Sequence, residues 1–165
     1  MGKNGIKPVS YTHLDGSSFE ENAVIKAKTV CELTNEVVLA DDAGLEIDYL
    51  NGEPGIYSAR YMGEDTSYRI KNQNLIDRLA GVPQEKRTAR FVCAVAAAYP
   101  DGTVKTARGT MEGIIGYEER GENGFGYDLS LIHICGTGLP GLFRRWRIYG
   151  ISGKKSCIFQ LAIVK

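Results

Sequence analysis

The sequence predicts an α/β domain, in which helices and strands alternate along the chain, and three patterns support this class. Apolar residues recur at helical spacing from Phe19 to about Leu33, which indicates an amphipathic helix. Residues 37–40 form a short apolar run typical of a buried strand, and residues 45–49 alternate as a half-buried strand does. Helical and strand patterns thus follow one another along the chain, as they do in α/β proteins.

The first helix has its start signal in two adjacent serines. Ser17 and Ser18 are followed three positions later by Glu20 and Glu21, which is the spacing of a capping box. The sequence therefore predicts that the helix begins directly beside these serines.

A second helix and three more strands complete the predicted elements. Thr66 or Ser67 can cap a helix that runs to residues 79–80, because Gly81 follows at the position of a helix terminator. The further strands are predicted over residues 89–99, 103–108 and 114–115.

The composition is typical of a soluble globular protein with one domain. Its 165 residues are 43% hydrophobic and 24% charged, and no run approaches the roughly 18 apolar residues of a membrane span. The N-terminus lacks the apolar stretch of a secretory signal. The four cysteines show no C-x-x-C spacing, so we expect neither a disulfide framework nor a zinc site. These observations predict a cytoplasmic protein without a membrane partner.

The charges are unevenly distributed along the chain. All 20 acidic residues lie within residues 1–128, whereas the remaining 37 residues carry six basic side chains and no acid. Such a tail can bind nucleic acid, or it can differ in origin from the rest of the chain. The Arg/Trp cluster at residues 144–147 is a weak signal for the first interpretation, so a nucleic-acid partner is not expected.

Asp41 and Asp42 form the first candidate site, at the end of the predicted buried strand. Two acids at such a position are costly unless they are solvated or bound to a cation. Alternation points their side chains to opposite faces, so one is expected to face a cleft, and Gly44 would let a ligand approach the backbone. One interpretation is a carboxylate that binds magnesium, and the other is a pair of solvated loop acids.

A short glycine-rich segment is the second candidate site. Gly124 and Gly126 flank Phe125, so the backbone could close around a flat ligand. Phe125 or Tyr127 could stack on a nucleobase, and Asp128 could accept a hydrogen bond from its edge. Alternatively, the segment is a tight turn whose aromatic rings fill the core.

Lys26 and Arg60 are candidate phosphate contacts. Lys26 lies on the first predicted helix, away from the centre of its apolar stripe, and Arg60 follows the turn at Gly55. Isolated basic side chains are also commonly solvated, so both interpretations stay open at this point.

Several motifs occur together in one order. They are S-F-E-E-N-A and K-A within residues 18–27, L-A-D-D-A-G-L at 39–45, L-N-G-E-P-G-I-Y-S-A-R-Y at 50–61, A-R-F at 89–91 and G-F-G-Y-D at 124–128. In this combination the chain resembles the inosine triphosphate pyrophosphatase family, also called XTP/dITP diphosphatases, over about residues 16–128.

The resemblance implies an activity and an architecture. Members of that family hydrolyse deaminated purine nucleoside triphosphates (dITP, ITP and XTP) to the monophosphate and pyrophosphate. They require Mg²⁺ and are usually homodimers. Their fold is an elongated, two-lobed α/β domain with a mixed sheet, and we expect that fold here.

The resemblance also implies roles for individual residues. Asp42 corresponds to the catalytic acid, which accepts a proton and binds magnesium, and Asp41 is its neighbour in the expected metal site. The other residues implied to bind substrate are Lys26, Ala43, Arg60, Phe125, Gly126, Tyr127 and Asp128. Bacterial members often have serine where this chain has Ala43, so one hydroxyl contact is expected to be missing.

Both ends of the chain depart from the family pattern. Residues 1–15 contain no T-G-N-x-x-K loop, and residues 129–165 contain no S-H-R segment. We therefore expect a non-matching segment at 1–15, a pyrophosphatase-like domain at 16–128 and a non-matching basic tail at 129–165, with a fold incomplete at both ends. A further hypothesis is that both ends are not native, which resequencing of their codons tests. The alternative function is accordingly a truncated or chimeric member with little or no activity that at most binds nucleotide.

Overall fold

The computed structural model describes residues 15–119 and 126–127, and the backbone of residues 131–133 and 162–164. The helices are α1 (Phe19–Thr34) and α2 (Tyr68–Arg78). The strands are β1 (Val37–Ile47), β2 (Thr88–Ala98), β3 (Val104–Ile115), β4 (Leu131–His133) and β5 (Ala162–Val164). Short 3₁₀ turns lie at Asp48–Leu50, Gly55–Tyr57 and Gln84–Lys86. Neither described helix combines the length and the apolar character that crossing a membrane requires.

The strands form one sheet in the order β4-β3-β2-β1-β5. Its central strands β1, β2 and β3 are each antiparallel to the strand beside them. The short outer strands are also antiparallel to their neighbours, with Ile114 opposite Ile132 and Val38 opposite Ile163. The α/β class is confirmed. The described strand pairs include no parallel one, so the mixed sheet stays a prediction.

Helix α1 begins where the sequence predicts. Ser18 is its N-cap, and the Ser18 hydroxyl accepts a hydrogen bond from the Glu21 amide at 3.1 Å. The Glu21 carboxylate in turn accepts bonds at 2.7 Å from both the amide and the hydroxyl of Ser17. The bond to Ser18 satisfies the Glu21 amide, which has no partner within the first helical turn, and an N-cap of this kind contributes about 1 kcal/mol.

Strand β1 corrects the prediction of two separate strands. Asp41 and Asp42 do not end a strand, because β1 continues through them to Ile47. Both acids are only partly buried, and Asp42 has polar partners that are described below. The strand can therefore continue through them with its backbone hydrogen bonds intact.

Strand β3 likewise joins two predicted strands, 103–108 and 114–115, into one of 12 residues. Its middle is exposed and lacks the apolar pattern that the prediction required. Hydrogen bonding to β2 keeps such a segment extended without help from burial.

The chain divides into two compact units. The first takes its residues from Met1–Ala43, Cys93–Gly109 and Phe159–Lys165, and the second from Gly44–Val92 and Thr110–Ile158. In the first unit the apolar stripe of α1 is buried, as its spacing predicts: Phe19, Ala23, Ala27, Val30 and Cys31. The core of the second unit contains Leu45, Ile47, Leu50, Leu75, Ile76, Leu79, Val82, Ala89, Ile115 and Tyr127.

A buried arginine binds backbone carbonyls beside the core of the second unit. Arg87 is 1% exposed, and its guanidinium donates to the carbonyls of Leu79 (2.6 Å), Ile115 (2.8 Å) and Gly116 (2.7 Å). The guanidinium also lies 4.4 Å from the centre of the Tyr117 ring. Burial lowers the pKa of Arg87, and the three carbonyls and the ring compensate for the lost hydration.

Candidate active site

Helix α1 presents two polar side chains to the acidic pair of β1. Asn22 and Lys26 are four residues apart and therefore lie on the same face of the helix. Lys26 Nζ donates to Asp42 Oδ1 at 2.6 Å and to the Asp41 carbonyl at 2.9 Å. Asn22 Nδ2 donates to Asp42 Oδ2 at 3.2 Å. Each oxygen of the Asp42 carboxylate thus has a donor from α1, which fixes the orientation of the carboxylate.

This cluster is largely shielded from water. The side chains of Lys26 and Asp42 are 15% and 14% exposed, so their ion pair is stronger than a solvated surface pair. The pKa of Asp41 is raised to about 6, chiefly by burial and also by the charge of Asp42, while Lys26 opposes the shift. The two adjacent acids therefore differ. Asp42 accepts hydrogen bonds from Lys26 and Asn22, whereas burial disfavours the negative charge of Asp41.

Asn22 also links the acidic pair to the residues before α1. Its Oδ1 accepts a hydrogen bond from the Gly16 amide at 3.1 Å, and Asn22 itself is 1% exposed. A Cβ at position 16 would lie 2.5 Å from Asn22 Oδ1 and 2.9 Å from the Asn22 amide nitrogen. Glycine at position 16 therefore permits this close approach.

Two residues that interact with the acidic pair, Asn22 by a hydrogen bond and Cys93 electrostatically, were not among the predicted site residues. Asn22 had a usable signal, since it lies four residues before Lys26 on a helix whose neighbouring positions are apolar. Cys93 of β2 had no sequence signal that could have identified it. Its thiol is half-buried, and burial together with the charges of Asp41 and Asp42 raises its pKa. The thiol therefore stays protonated at neutral pH and is a poor nucleophile.

The acidic pair could supply only part of the coordination shell of a magnesium ion. Among the described residues, no group of three or more His, Cys, Asp or Glu side chains is placed to hold a metal ion. Magnesium often binds through one or two carboxylates and completes its coordination with water and substrate phosphates. Asp42 faces Asn22 and Lys26, and Asp41 precedes it in β1, so the pair could supply at most two carboxylates of such a shell.

In the second unit, Tyr127 is part of the core. It is 5% exposed, its hydroxyl donates to the Ser58 carbonyl at 2.8 Å, and its ring packs edge-on against Tyr68 at 5.2 Å. Burial raises the pKa of Tyr127 well above its usual range. The described position of this ring corresponds to the second interpretation of the loop, in which an aromatic side chain fills the core.

Gly126 is tied to α2. Its carbonyl accepts a hydrogen bond from Asn72 Nδ2 at 3.0 Å, and a Cβ at this position would lie 3.1 Å from the Tyr68 ring. Phe125 and Asp128, which the sequence also assigns to this loop, lie outside the described residues.

The remaining predicted residues divide between the units. Ala43 is exposed and directly follows the acidic pair in β1, within the first unit. Arg60 belongs to the second unit, is partly buried, and places its guanidinium 5.4 Å from the centre of the Tyr57 ring. The structure therefore brings Lys26 together with Asp41 and Asp42. Of the predicted N-terminal segment 1–15, residues 1–14 lie outside the described residues. Of the predicted basic tail 129–165, only the backbone of residues 131–133 and 162–164 is described.

Comparison with known proteins identifies relatives of the chain. A dITP/XTP pyrophosphatase of Exiguobacterium sibiricum is 54% identical over 117 residues, which cover 71% of this chain and 59% of that protein. The dITP/XTP pyrophosphatase of Bacillus subtilis is 50% identical over 113 residues, covering 68% and 57%. The chain thus spans less than two thirds of the length of these curated relatives.

Solved structures of proteins with related sequences are also similar to this chain. The Ham1 protein of Staphylococcus aureus superposes with a TM-score of 0.69 at 44% identity, over 73% of this chain and 62% of that one. A dITP/XTP pyrophosphatase of Mycobacterium abscessus gives 0.67 at 39% identity, over 73% and 61%. The model of the Ham1 family matches residues 6–136. The resemblance read from the motifs is confirmed: the chain belongs to the Ham1 family, a family of dITP/XTP pyrophosphatase hydrolases.

Proposed function

We propose that this chain hydrolyses deaminated purine nucleoside triphosphates, dITP, XTP and ITP, to the monophosphate and pyrophosphate. The observation that carries the proposal is the Asp42 carboxylate, whose two oxygens are held by Lys26 and Asn22 within a partly desolvated cluster. The names of relatives about 50% identical to this chain support the same activity.

Asp42 is the proposed catalytic residue. Its carboxylate orients the attacking water and accepts the proton that the water loses as the phosphoanhydride bond breaks. Because Lys26 and Asn22 already fix both oxygens, little reorganisation is needed when substrate arrives, and preorganisation of this kind lowers the barrier.

Mg²⁺ is the proposed cofactor, with Asp42 and Asp41 as its protein ligands. When bound, the ion would neutralise charge on the phosphates and help to position them. Although burial raises the pKa of Asp41 to about 6, that carboxyl is still largely ionised at neutral pH, and a nearby cation would favour the ionised form further.

The proposed substrate-binding residues have separate tasks. Lys26 and Arg60 supply positive charge for the phosphates, and Ala43 offers its backbone beside the acidic pair. Phe125, Gly126, Tyr127 and Asp128 are the proposed base-recognition segment. A 6-oxo purine presents N1–H as a donor and O6 as an acceptor, whereas adenine presents the opposite pattern. A site that pairs with the first pattern would leave buried groups unpaired with adenine and so reject it.

The proposal also covers the oligomeric state, the location in the cell and the partners of the protein. We propose a homodimer located in the cytoplasm that has no nucleic-acid partner. Light scattering on the purified chain measures the mass in solution, and a monomer at micromolar concentration would contradict the dimer.

The test is magnesium-dependent release of pyrophosphate from dITP, with dATP as the control substrate. Asp42→Asn keeps the shape of the side chain but removes its charge, and it should lower kcat by at least about 100-fold. Asp65→Asn makes the same chemical change at an exposed position and should leave kcat unchanged. Equal activity of the wild-type chain on dITP and dATP, or full activity of Asp42→Asn, would refute the proposal.

Nucleotide binding without turnover is the alternative. It is favoured by the absence of T-G-N-x-x-K and S-H-R segments from the sequence. If these segments supply about three charge-assisted phosphate contacts, each worth roughly 1.5–3 kcal/mol, their loss would cost on the order of 10³- to 10⁶-fold in rate. Saturable dITP binding by calorimetry with no pyrophosphate release would identify this case.

A further inference from the structure

One face of α2 buries two polar side chains whose hydrogen bonds reach other segments of the chain. Lys71 is 1% exposed and Asn72 is 0% exposed, although lysine and asparagine are usually solvated on a surface helix. Tyr68 precedes them by three and four residues, so all three lie on one face of the helix. Burial of a lysine requires compensating contacts, and those contacts identify what the face does.

The first contact holds the segment that carries Arg60. Lys71 Nζ donates to the Ala59 carbonyl at 2.7 Å and lies 5.1 Å from the centre of the Tyr68 ring. The Ser58 carbonyl, one residue earlier, accepts the 2.8 Å bond from the Tyr127 hydroxyl. Two consecutive carbonyls directly before Arg60 are therefore bound by buried donors.

Ser58 itself adds a third anchor. Its hydroxyl donates to the Gly55 carbonyl at 2.6 Å and accepts from the Leu45 amide at 2.9 Å. The backbone then turns tightly, since the Arg60 amide donates to the Tyr57 carbonyl at 2.9 Å. The backbone around Arg60 is thus fixed from several directions.

The second contact of the helix face holds the pair Gly126-Tyr127. Asn72 Nδ2 donates to the Gly126 carbonyl at 3.0 Å and to Glu119 Oε1 at 2.6 Å. Asn72 Oδ1 is a buried acceptor for which the described part of the chain provides no hydrogen-bond partner, so this amide is held through its donor end. The Tyr68 ring packs against Tyr127 and closely faces Gly126.

We propose that Tyr127 is a positioning residue for Arg60, and that Lys71 and Asn72 of α2 form the common anchor of both segments. This inference rests on the proposed function, which gives Arg60 a phosphate contact and places Tyr127 in the base-recognition segment. Its consequence is that seating of the purine and placement of Arg60 depend on one another. Discrimination between purines should then affect kcat as well as KM.

Tyr127→Phe tests the link, because it removes the hydroxyl and retains the ring that packs on Tyr68. We expect kcat/KM for dITP to fall about tenfold, the usual scale for one buried hydrogen bond. In an Arg60→Ala background the same change should cost less than twofold, since the group that it positions is gone. Tyr49→Phe, at a half-exposed tyrosine of the same unit, should have no effect in either background.

Hydrogen exchange supplies a readout that does not need activity. The amides of Arg60 and Gly63 are bonded to the carbonyls of Tyr57 and Arg60, so they report the order of this segment. In Tyr127→Phe, and equally in Lys71→Met, exchange over residues 57–63 should become several-fold faster while exchange in α1 stays unchanged.

The possible outcomes are distinct. Faster exchange at 57–63 together with a non-additive effect of Arg60→Ala supports the inference. Unchanged exchange, or equal losses from Tyr127→Phe in both backgrounds, overturns it, because a direct base contact or a general loss of stability gives additive effects. If the wild-type chain releases no pyrophosphate, the proposed function fails, and the exchange measurement alone decides whether Tyr127 orders the Arg60 segment.

Discussion

Asn22 shows how much a single amide can do in this fold. Its donor end holds Asp42 Oδ2, and its acceptor end holds the amide of Gly16. It is almost fully buried, so neither end can exchange its partner for water. The carboxylate of Asp42 is therefore oriented in part by a residue that was not among the predicted site residues.

Removing that amide gives the first residue-scale prediction. Asn22→Ala should lower kcat for dITP about tenfold with little change in KM, because Asp42 Oδ2 loses its donor while Lys26 still holds Oδ1. Steady-state kinetics measure the split. Lys28→Ala, at an exposed position of α1, is the matched control and should change neither constant. A rise in KM alone would show that Asn22 serves binding rather than orientation.

At the scale of single elements, Arg87 joins three carbonyls from two segments, and its guanidinium geometry is essential to that task. Lysine has a single compact ammonium that cannot reach three separate carbonyls. Arg87→Lys should therefore lower the free energy of unfolding by about 3 kcal/mol, because buried acceptors lose charge-assisted donors. Urea denaturation measures this loss. Arg69→Lys, at an exposed position of α2, should cost less than about 0.5 kcal/mol, and equal losses from both substitutions would contradict this role of the Arg87 guanidinium.

Helix α2 serves both stability and the proposed activity. Its apolar residues Leu75 and Ile76 lie in the second core, while Lys71 and Asn72 hold segments that carry proposed site residues. Substitutions in this helix should therefore be sorted by face before their kinetic effects are interpreted.

At the scale of the whole molecule, the pH dependence of stability carries a signature of Asp41. Its pKa rises from 3.8 to about 6 on folding, so between these values the native chain binds a proton that the unfolded chain lacks. The resulting destabilisation is absent below about pH 4, grows as pH rises, and is complete above about pH 6. Asp41 thus makes the fold less stable at neutral pH than its neutral analogue would.

Asp41→Asn should accordingly raise the free energy of unfolding, and by more at pH 8 than at pH 5. With allowance for partial solvent screening, the difference between the two pH values is about 1 kcal/mol. Urea denaturation of both proteins at both pH values checks this. A gain that is the same at pH 5 and pH 8 would show that the substitution acts through packing instead of charge.

Much of the fold could be predicted from the sequence, because it depends on local patterns. The cap at Ser18 and the apolar stripe of α1 follow from spacing, and the acidic pair was recognised from its burial cost. The continuity of β1 and β3 was missed, since pairing with neighbouring strands keeps a polar segment extended.

The candidate site was predictable only in part, because its contacts join residues far apart in the chain. Lys26 and Asp42 were both predicted, but their ion pair depends on how α1 packs against β1. The hydrogen bonds of Asn22 and the effect of the two acids on the pKa of Cys93 have the same origin. The buried position of Tyr127 depends on Ser58 and Tyr68, which no local pattern connects to it.

The continuity of β1 has one more consequence, which concerns strand register. Two identical carboxylates are adjacent in the chain, and β1 is hydrogen-bonded to β2 on one side and β5 on the other, with Val38 opposite Ile163. A slip of one position would exchange the two acids and turn every neighbouring side chain to the opposite face. The ladder on both sides of β1 therefore decides which aspartate meets Lys26 and Asn22, a choice that the chemistry of two identical side chains could not make.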